Sequence, residues 1–260
     1  MIGILCGNKN KIKYTKKIYK LINIDNSCKT EPVIIFSISD LDLKSKTVSG
    51  NLIKRNEIIS VTTSIPEIIN NFLIPQKRSS RKKIRMLSEQ PDVFLVNEAN
   101  RFRQNMIMEM LSSSVKTKDL IPKYLLSSKK WFVLDVPDML EQNGRPVIYK
   151  LYTVRDGRNK WNVLPLPGPA PEYWIGDEFT RTLYKSALEV ARCIGNFIPS
   201  LAFCTVYFVS DKNRSLFLAN FTGWDSSLLL KMQKPILPKL FARCFFEYNN
   251  MLLNLKRGEK

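Results

Sequence analysis

Histidine is absent from the 260 residues. Without an imidazole the chain cannot build a Ser-His-Asp or Cys-His nucleophile system, nor any zinc site that uses histidine. Cysteine is scarce. Five residues (Cys6, Cys28, Cys193, Cys204 and Cys244) are odd in number, widely scattered and free of any C-x-x-C pair. That pattern fits reduced core thiols and argues against a disulfide framework or an all-cysteine zinc site. No apolar run approaches the roughly 20 residues that span a bilayer, so no transmembrane segment is expected. Met1 to Cys6 is too short for a signal-peptide core, and its basic residues follow it instead of preceding it, which predicts a cytoplasmic protein. Acidic residues are few: 23 against 41 lysines and arginines, a net charge of +18. Such a surplus repels itself and suggests a polyanionic partner or surface, with acidic protein, acidic polymer, lipid headgroups and nucleic acid all satisfying the charge.

What is present reads as α/β. Ile2 to Cys6 and Val33 to Ser37 are continuous apolar strands around a helix carrying Tyr14, Ile18, Tyr19, Leu21 and Ile22. Strands of this kind need cover on both faces and predict a parallel unit. Ile58 to Thr62 is a candidate third strand, Gln76 to Arg85 reads as irregular and basic, Val93 to Val96 as a short strand, and Phe102 to Leu111 as a helix. Beyond residue 125 the texture becomes antiparallel. Val147 to Val154 turns through Arg155–Arg158 into Trp161 to Leu164, and Pro165 to Pro171 reads as a loop. A helix follows with Asp177 as N-cap, Phe179 to Ile194 on its apolar face and Gly195 as its stop. A hairpin, Leu201 to Val209 with Ser215 to Ala219, precedes a terminal helix through Leu237 and Leu252. Two domains are expected, residues 1–125 and 126–260.

The densest charge run is Lys77-Arg78-Ser79-Ser80-Arg81-Lys82-Lys83-Ile84-Arg85. Lys77, Arg78, Arg81, Lys82, Lys83 and Arg85 are candidates for gripping a polyanion, because guanidinium forks bind phosphate and carboxylate bidentately. A solvated loop is the competing reading, and the lack of interleaved aromatics weakens a single-stranded nucleic-acid role. Trp161, Tyr173 and Trp174 read as a loop anchored on a core, and Gly223-Trp224-Asp225 as a simple turn. Asp40 and Asp42 read as loop or cap residues, so no acid/base pair for hydrolysis emerges and no catalytic residue is assigned.

The helix from Phe179, the hairpin 201–219 and Asn220 resemble the closing part of an ATP-grasp domain. There, paired strands carry a magnesium-binding acid and a Glu-x-Asn motif. The similarity extends upstream and narrows to the YheC/YheD family of endospore coat-associated proteins. Ile2-Gly3-Ile4-Leu5 resembles its opening strand. Phe36-Ser37-Ile38-Ser39-Asp40-Leu41-Asp42 with Gly50, Ile65 to Asn71, Asn97 with the helix 102–111, and Arg145-Pro146 with Val147 to Val154 and Trp161 are similar to successive family motifs. The resemblance implies a pre-ATP-grasp-like unit followed by an ATP-grasp-like one, with ATP and magnesium as the family's cofactors.

The departures decide the functional expectation. Leu218 stands where the resemblance implies the Glu of Glu-x-Asn, Thr205 where it implies the earlier acid, and Ile148 and Lys150 where it implies Asp and Arg. Only residues 125–144 are available for a lid subdomain, and none before Gly144 is glycine. Magnesium needs several oxygen ligands at about 2.0–2.1 Å. Loss of a single preorganised donor costs roughly 3–4 kcal/mol in the transition state. The expectation is a truncated pseudoenzyme with no cofactor, Lys150 and Asn220 being its residual nucleotide-binding positions. Its partner would be an acidic protein or polymer, spore-coat components among them. Two alternatives stand beside it: an active ATP-dependent carboxylate-amine ligase, and a basic protein binding nucleic acid or another polyanion.

Overall fold

The computed structural model describes residues 1–24, 31–54, 57–126, 132–164, 177–225 and 236–258. Two sheets organise them. The first sheet is built on β1 (Ile2–Cys6), flanked in parallel by β2 (Val33–Ser37) and by β6 (Ile68–Asn71). Outside β2 lie β3 (Leu41–Asp42), β4 (Thr47–Lys54) and β5 (Glu57–Ser64), all antiparallel to their neighbours. Outside β6 lies the parallel β7 (Phe94–Val96). Helix α1 (Lys11–Ile24) covers one face and α2 (Arg78–Ser88) the other. Alternation along β1 divides its side chains between two cores. Ile2, Ile4 and Cys6 pack with Tyr14 and Ile18 of α1, whereas Leu5 packs with Ile34, Phe36 and the α2 residues Ile84 and Leu87. That two-sided burial is why β1 reads as an unbroken apolar run.

The second sheet is antiparallel, in the order β13-β12-β14-β15: β12 (Tyr149–Arg155), β13 (Trp161–Leu164), β14 (Phe203–Ser210) and β15 (Leu216–Thr222). One face packs on α3 (Gln104–Ser112) and α4 (Asp177–Phe197) through Tyr149, Leu151, Val206, Phe208 and Leu218. The other face shares a core with α1 and the C-terminal helix α5 (Ile236–Arg257), which also packs on β6. In chain order between the two sheets come two small antiparallel pairs, β8 (Lys123–Leu126) with β9 (Phe132–Asp135) and β10 (Glu141–Gln142) with β11 (Arg145–Pro146). A two-stranded hairpin thus falls in the segment where the resemblance implies a lid subdomain.

Several expectations need correction. Residues 78–88 are helical, not irregular: Ile84 and Leu87 give α2 a narrow apolar stripe, and Arg78, Arg81, Lys82 and Arg85 are exposed. The segment around Ile58 to Thr62 is no buried strand. β5 forms a ribbon with β4, and Ile58 and Ile59 are exposed. Gly195 does not stop α4, which continues to Phe197. Its missing side chain lets Arg155 and Trp161 close on the helix, since a Cβ there would lie 2.6 Å from an Arg155 guanidinium nitrogen. Of the five cysteines, Cys6, Cys193, Cys204 and Cys244 are buried free thiols. Cys28, the proline loop 165–171, Tyr173 and Trp174 lie outside the described residues.

Candidate functional site

Where the first sheet meets the second, the joint is closed by aromatic rings and asparagine side chains. Phe72 stacks on Trp224 with centroids 3.8 Å apart, and Phe203 meets both rings edge-on. Phe241 and Phe245 of α5 complete the cluster. Trp224 is 1% exposed, so the segment after Asn220 is far more than a turn. Asn97 and Asn100 tie the backbones around this cluster together. Asn97 donates to the Phe203 carbonyl (2.6 Å) and accepts from the Ala202 amide (2.8 Å). Asn100 donates to the Asn71 carbonyl (2.7 Å) and accepts from the Trp224 amide (2.6 Å). On one side of this joint the space between the sheets is therefore filled.

Moving along the same face of β12 and β14, the apolar core gives way to polar groups. Val154 opposes Phe203, then Tyr152 opposes Thr205, then Lys150 opposes Tyr207. Lys150 forms an ion pair with Asp225 and sits over the rings of Tyr152 and Tyr207, 5.0 and 5.3 Å from their centroids. The Tyr207 hydroxyl donates to the same Asp225 carboxylate at 3.0 Å. Burial alone would lower the Lys150 pKa, but its hydrogen bonds to Asp225 and Tyr152 outweigh that and hold it above the ordinary lysine value. Burial, then the Asp225 charge, pushes the Tyr207 phenol upward. The ammonium is thus boxed by two rings and one carboxylate, charged and already partnered.

Asp225, read from the sequence as part of a turn, lies five residues beyond Asn220 and reaches Lys150 of β12 only through the fold. Its carboxylate joins Lys150 to the Tyr207 hydroxyl. Asn220 is exposed opposite Tyr207 on this face, and its side-chain oxygen accepts the Phe221 amide at 2.8 Å. Thr205 is buried, one pair further into the core.

Leu218 behaves differently. It pairs with Phe208 while Asn220 pairs with Tyr207, so Ala219 is an extra residue and β15 bulges there. Leu218 consequently points into the core beneath α3 and α4, opposite in sense to Asn220. A Glu-x-Asn motif needs both side chains on one face, and the bulge separates them. Among the described residues, no three histidine, cysteine, aspartate or glutamate side chains converge as a metal site.

The basic run is also sorted by the fold. Arg78, Arg81, Lys82 and Arg85 line a shared groove along the outer face of α2, and Lys77 immediately precedes the helix. Lys83 turns the other way and donates to the carbonyls of Ile38 (2.9 Å) and Leu41. Asp40 is a local organiser: its carboxylate accepts from the Ser37 amide (2.9 Å), the Ser37 hydroxyl (2.7 Å) and Lys11 (2.8 Å). Trp161 is buried against Arg155, whose guanidinium lies 4.9 Å from its ring.

No family model matches the chain, and no curated protein matches it in sequence. Solved structures do. The D-alanine-D-alanine ligase from Coxiella burnetii aligns over 98% of this chain and 96% of its own, with 9% identity and a TM-score of 0.55. The VanG D-Ala:D-Ser ligase from Enterococcus faecalis aligns over 96% and 98%, with 8% identity and a TM-score of 0.54. The N5-carboxyaminoimidazole ribonucleotide synthetase from Thermotoga maritima aligns over 94% and 75%, with 9% identity and a TM-score of 0.50. Identities this low carry architecture and not activity. On that architecture, a mixed parallel sheet followed by an antiparallel one, the chain has an ATP-grasp-like fold.

Proposed function

We propose that this chain is a catalytically inert ATP-grasp-like scaffold, divided near residue 125, that works by docking acidic partners. The observation that carries the reading is the partnering of Lys150 by Asp225. A phosphate approaching Lys150 must compete with a carboxylate already in place, and a magnesium ion approaching Asp225 must displace an ammonium. Asn220 lies on the same face, opposite Tyr207, and a lone amide with one carboxylate falls short of an octahedral magnesium shell. The separation of Leu218 from Asn220 by the bulge supports the same conclusion. A net charge of +18 supports the docking half of the reading, since complementary charge governs encounter rate and partner choice. The motif order in the sequence is what supports a place in spore-coat assembly.

Thermal unfolding of the full chain with ATP, with and without magnesium, tests the inert half. Ligand binding to the native state raises the melting temperature by linkage. A basic surface also attracts triphosphate non-specifically, so the decisive signal is the magnesium-dependent part. The expected shift from magnesium is zero. An active ligase is the second reading, favoured by a carboxylate, Asp225, held on the Tyr207 hydroxyl of the strand position opposite Asn220. It predicts a magnesium-dependent shift that Asp225→Asn removes.

A further inference from the structure

A cleft of about 910 Å³ opens between α2, the segment Glu98–Met106 and the turn at Ile198–Ser200. Its position follows from the first sheet: Ile74 and Pro75 leave the carboxyl end of β6, and Glu98 to Arg103 leave that of β7. Parallel α/β sheets bind ligands outside those ends. The walls are held by the asparagine network, with the Asn97 amide donating to the Ser200 carbonyl at 2.7 Å and Asn100 bonded to the carbonyls of Asn71 and Leu73.

The lining has two chemistries. Ile74, Pro75, Phe102, Met106 and Ile198 give an apolar floor, and Arg81, Arg85, Arg101 and Arg103 give a cationic rim. Glu98 is the sole acid in the lining, and it accepts from the Ser88 hydroxyl at 3.0 Å. Arg101 and Arg103 make no ion pair among the described residues, and all four rim arginines are exposed. Arg81 and Arg85 also line the groove on the outer side of α2 with Arg78 and Lys82, so the cationic surface continues past the cleft.

The size and the floor select the occupant. A single small anion would leave most of the cleft unfilled and would gain nothing from the apolar floor. A single-stranded nucleic acid needs several exposed rings for stacking, but Phe102 is the only aromatic here and it packs on Phe221 with centroids 5.5 Å apart. A peptide alternating carboxylates with apolar side chains matches both chemistries at once. Burying its apolar side chains supplies affinity, and bidentate carboxylate–guanidinium contacts fix its register.

We propose that this cleft is a docking groove for an acidic segment of a partner protein, its apolar side chains seated between Phe102, Met106 and Ile198 and its carboxylates on Arg81, Arg85, Arg101 and Arg103. The inference rests on the docking half of the function proposed above and names its surface.

Fluorescence anisotropy of labelled peptides with the full chain tests it. One peptide interleaves glutamate with leucine and phenylalanine, a second of equal length and charge carries glutamate with serine, and an oligo-dT of matched charge is the third probe. The interleaved peptide is expected to bind most tightly. Arg81→Glu with Arg101→Glu should weaken it about tenfold, because two attractive contacts become repulsive. Arg158→Glu with Lys185→Glu, exposed charges outside the cleft, should leave it within about twofold. Met106→Gln should weaken the interleaved peptide and leave the serine peptide unchanged. Should the first double variant unfold, Arg103→Glu replaces it. The inference is overturned by absence of binding, by equal loss in the two double variants, or by equal affinity for the serine peptide or oligo-dT. A magnesium-dependent thermal shift with ATP would instead overturn the inert reading, whatever the peptides do.

Discussion

The side chain of Asn97 clasps the backbone of Phe203, its amide donating to the Phe203 carbonyl at 2.6 Å and its oxygen accepting the Phe203 amide at 3.0 Å. The two residues lie 106 positions apart, and both are buried. Asn97 also has a positive φ of 54°, a conformation asparagine tolerates better than most side chains. Replacement by alanine leaves the amides of Ala202 and Phe203 and the Phe203 carbonyl without side-chain partners in a dry joint. Asn97→Ala should lower unfolding stability by about 2–4 kcal/mol, read as a shift of the urea midpoint. Asn97→Gly should recover only the part that comes from the backbone conformation. Equal stability in all three proteins would mean that the clasp does not hold the joint.

Asp40 should make part of the stability pH-dependent. Burial would raise its pKa, but the hydrogen bonds from Lys11 and Ser37 lower it below the ordinary aspartate value of 3.8. A depressed folded-state value stabilises the protein above the unfolded value, and the contribution disappears as pH falls through the folded one. Asp40→Asn should therefore cost about 1–2 kcal/mol at neutral pH. The difference from the parent should shrink once pH drops below about 4. Chemical denaturation at a series of pH values measures it. A difference that stays constant down to acid would remove the charge from the explanation.

Much of the architecture was legible because periodicity survives in the sequence. β1 and β2 are continuous apolar runs, Val147 to Val154 alternates, and α4 keeps its stripe from Phe179 to Ile194. β6 was not recognised as the strand beside β1, because it ends in Asn70 and Asn71, polar residues that are fully buried and paired across the fold. α2 was hidden because Ile84 and Leu87 are its only buried residues and cations fill the rest. The polar cluster around Lys150 was only partly legible. Motif order singled out Lys150 and Asn220, but a bulge cannot be read from spacing, and Asp225 meets Lys150 from 75 positions further along the chain.

The bulge at Ala219 yields a strong test of the degenerate reading. If Leu218 faced the same side as Asn220, Leu218→Glu would restore the missing carboxylate and bring magnesium with it. Leu218 instead packs with Val206, Phe208 and Phe221 beneath α3 and α4. A glutamate there buries a carboxyl group without a partner, at a cost of about 4 kcal/mol or more. The variant should melt well below the parent, and magnesium with ATP should not recover it. Recovery by magnesium would show that β15 can slip its register and rebuild the motif.

The pair of Lys150 and Asp225 admits a double-mutant cycle. Their side chains are 26% and 19% exposed, so the pair lies between a weak surface bridge and a fully desolvated one. Lys150→Met leaves the carboxylate with the Tyr207 hydroxyl, and Asp225→Asn leaves the ammonium between two rings. Each single change should cost about 1–3 kcal/mol, and the double variant should cost less than the sum because no lone charge is stranded. The raised Lys150 pKa fixes the pH window. Its contribution is complete below the ordinary lysine value of 10.5 and is lost only as pH rises through the higher folded-state value. The coupling should accordingly be flat from pH 6 to pH 9. If ATP occupied this face in the native protein, Lys150→Met would also abolish a nucleotide-dependent stabilisation. An inert scaffold gives the same coupling energy with and without nucleotide, and a coupling that falls when magnesium and ATP are added would mean that the pair opens to receive them.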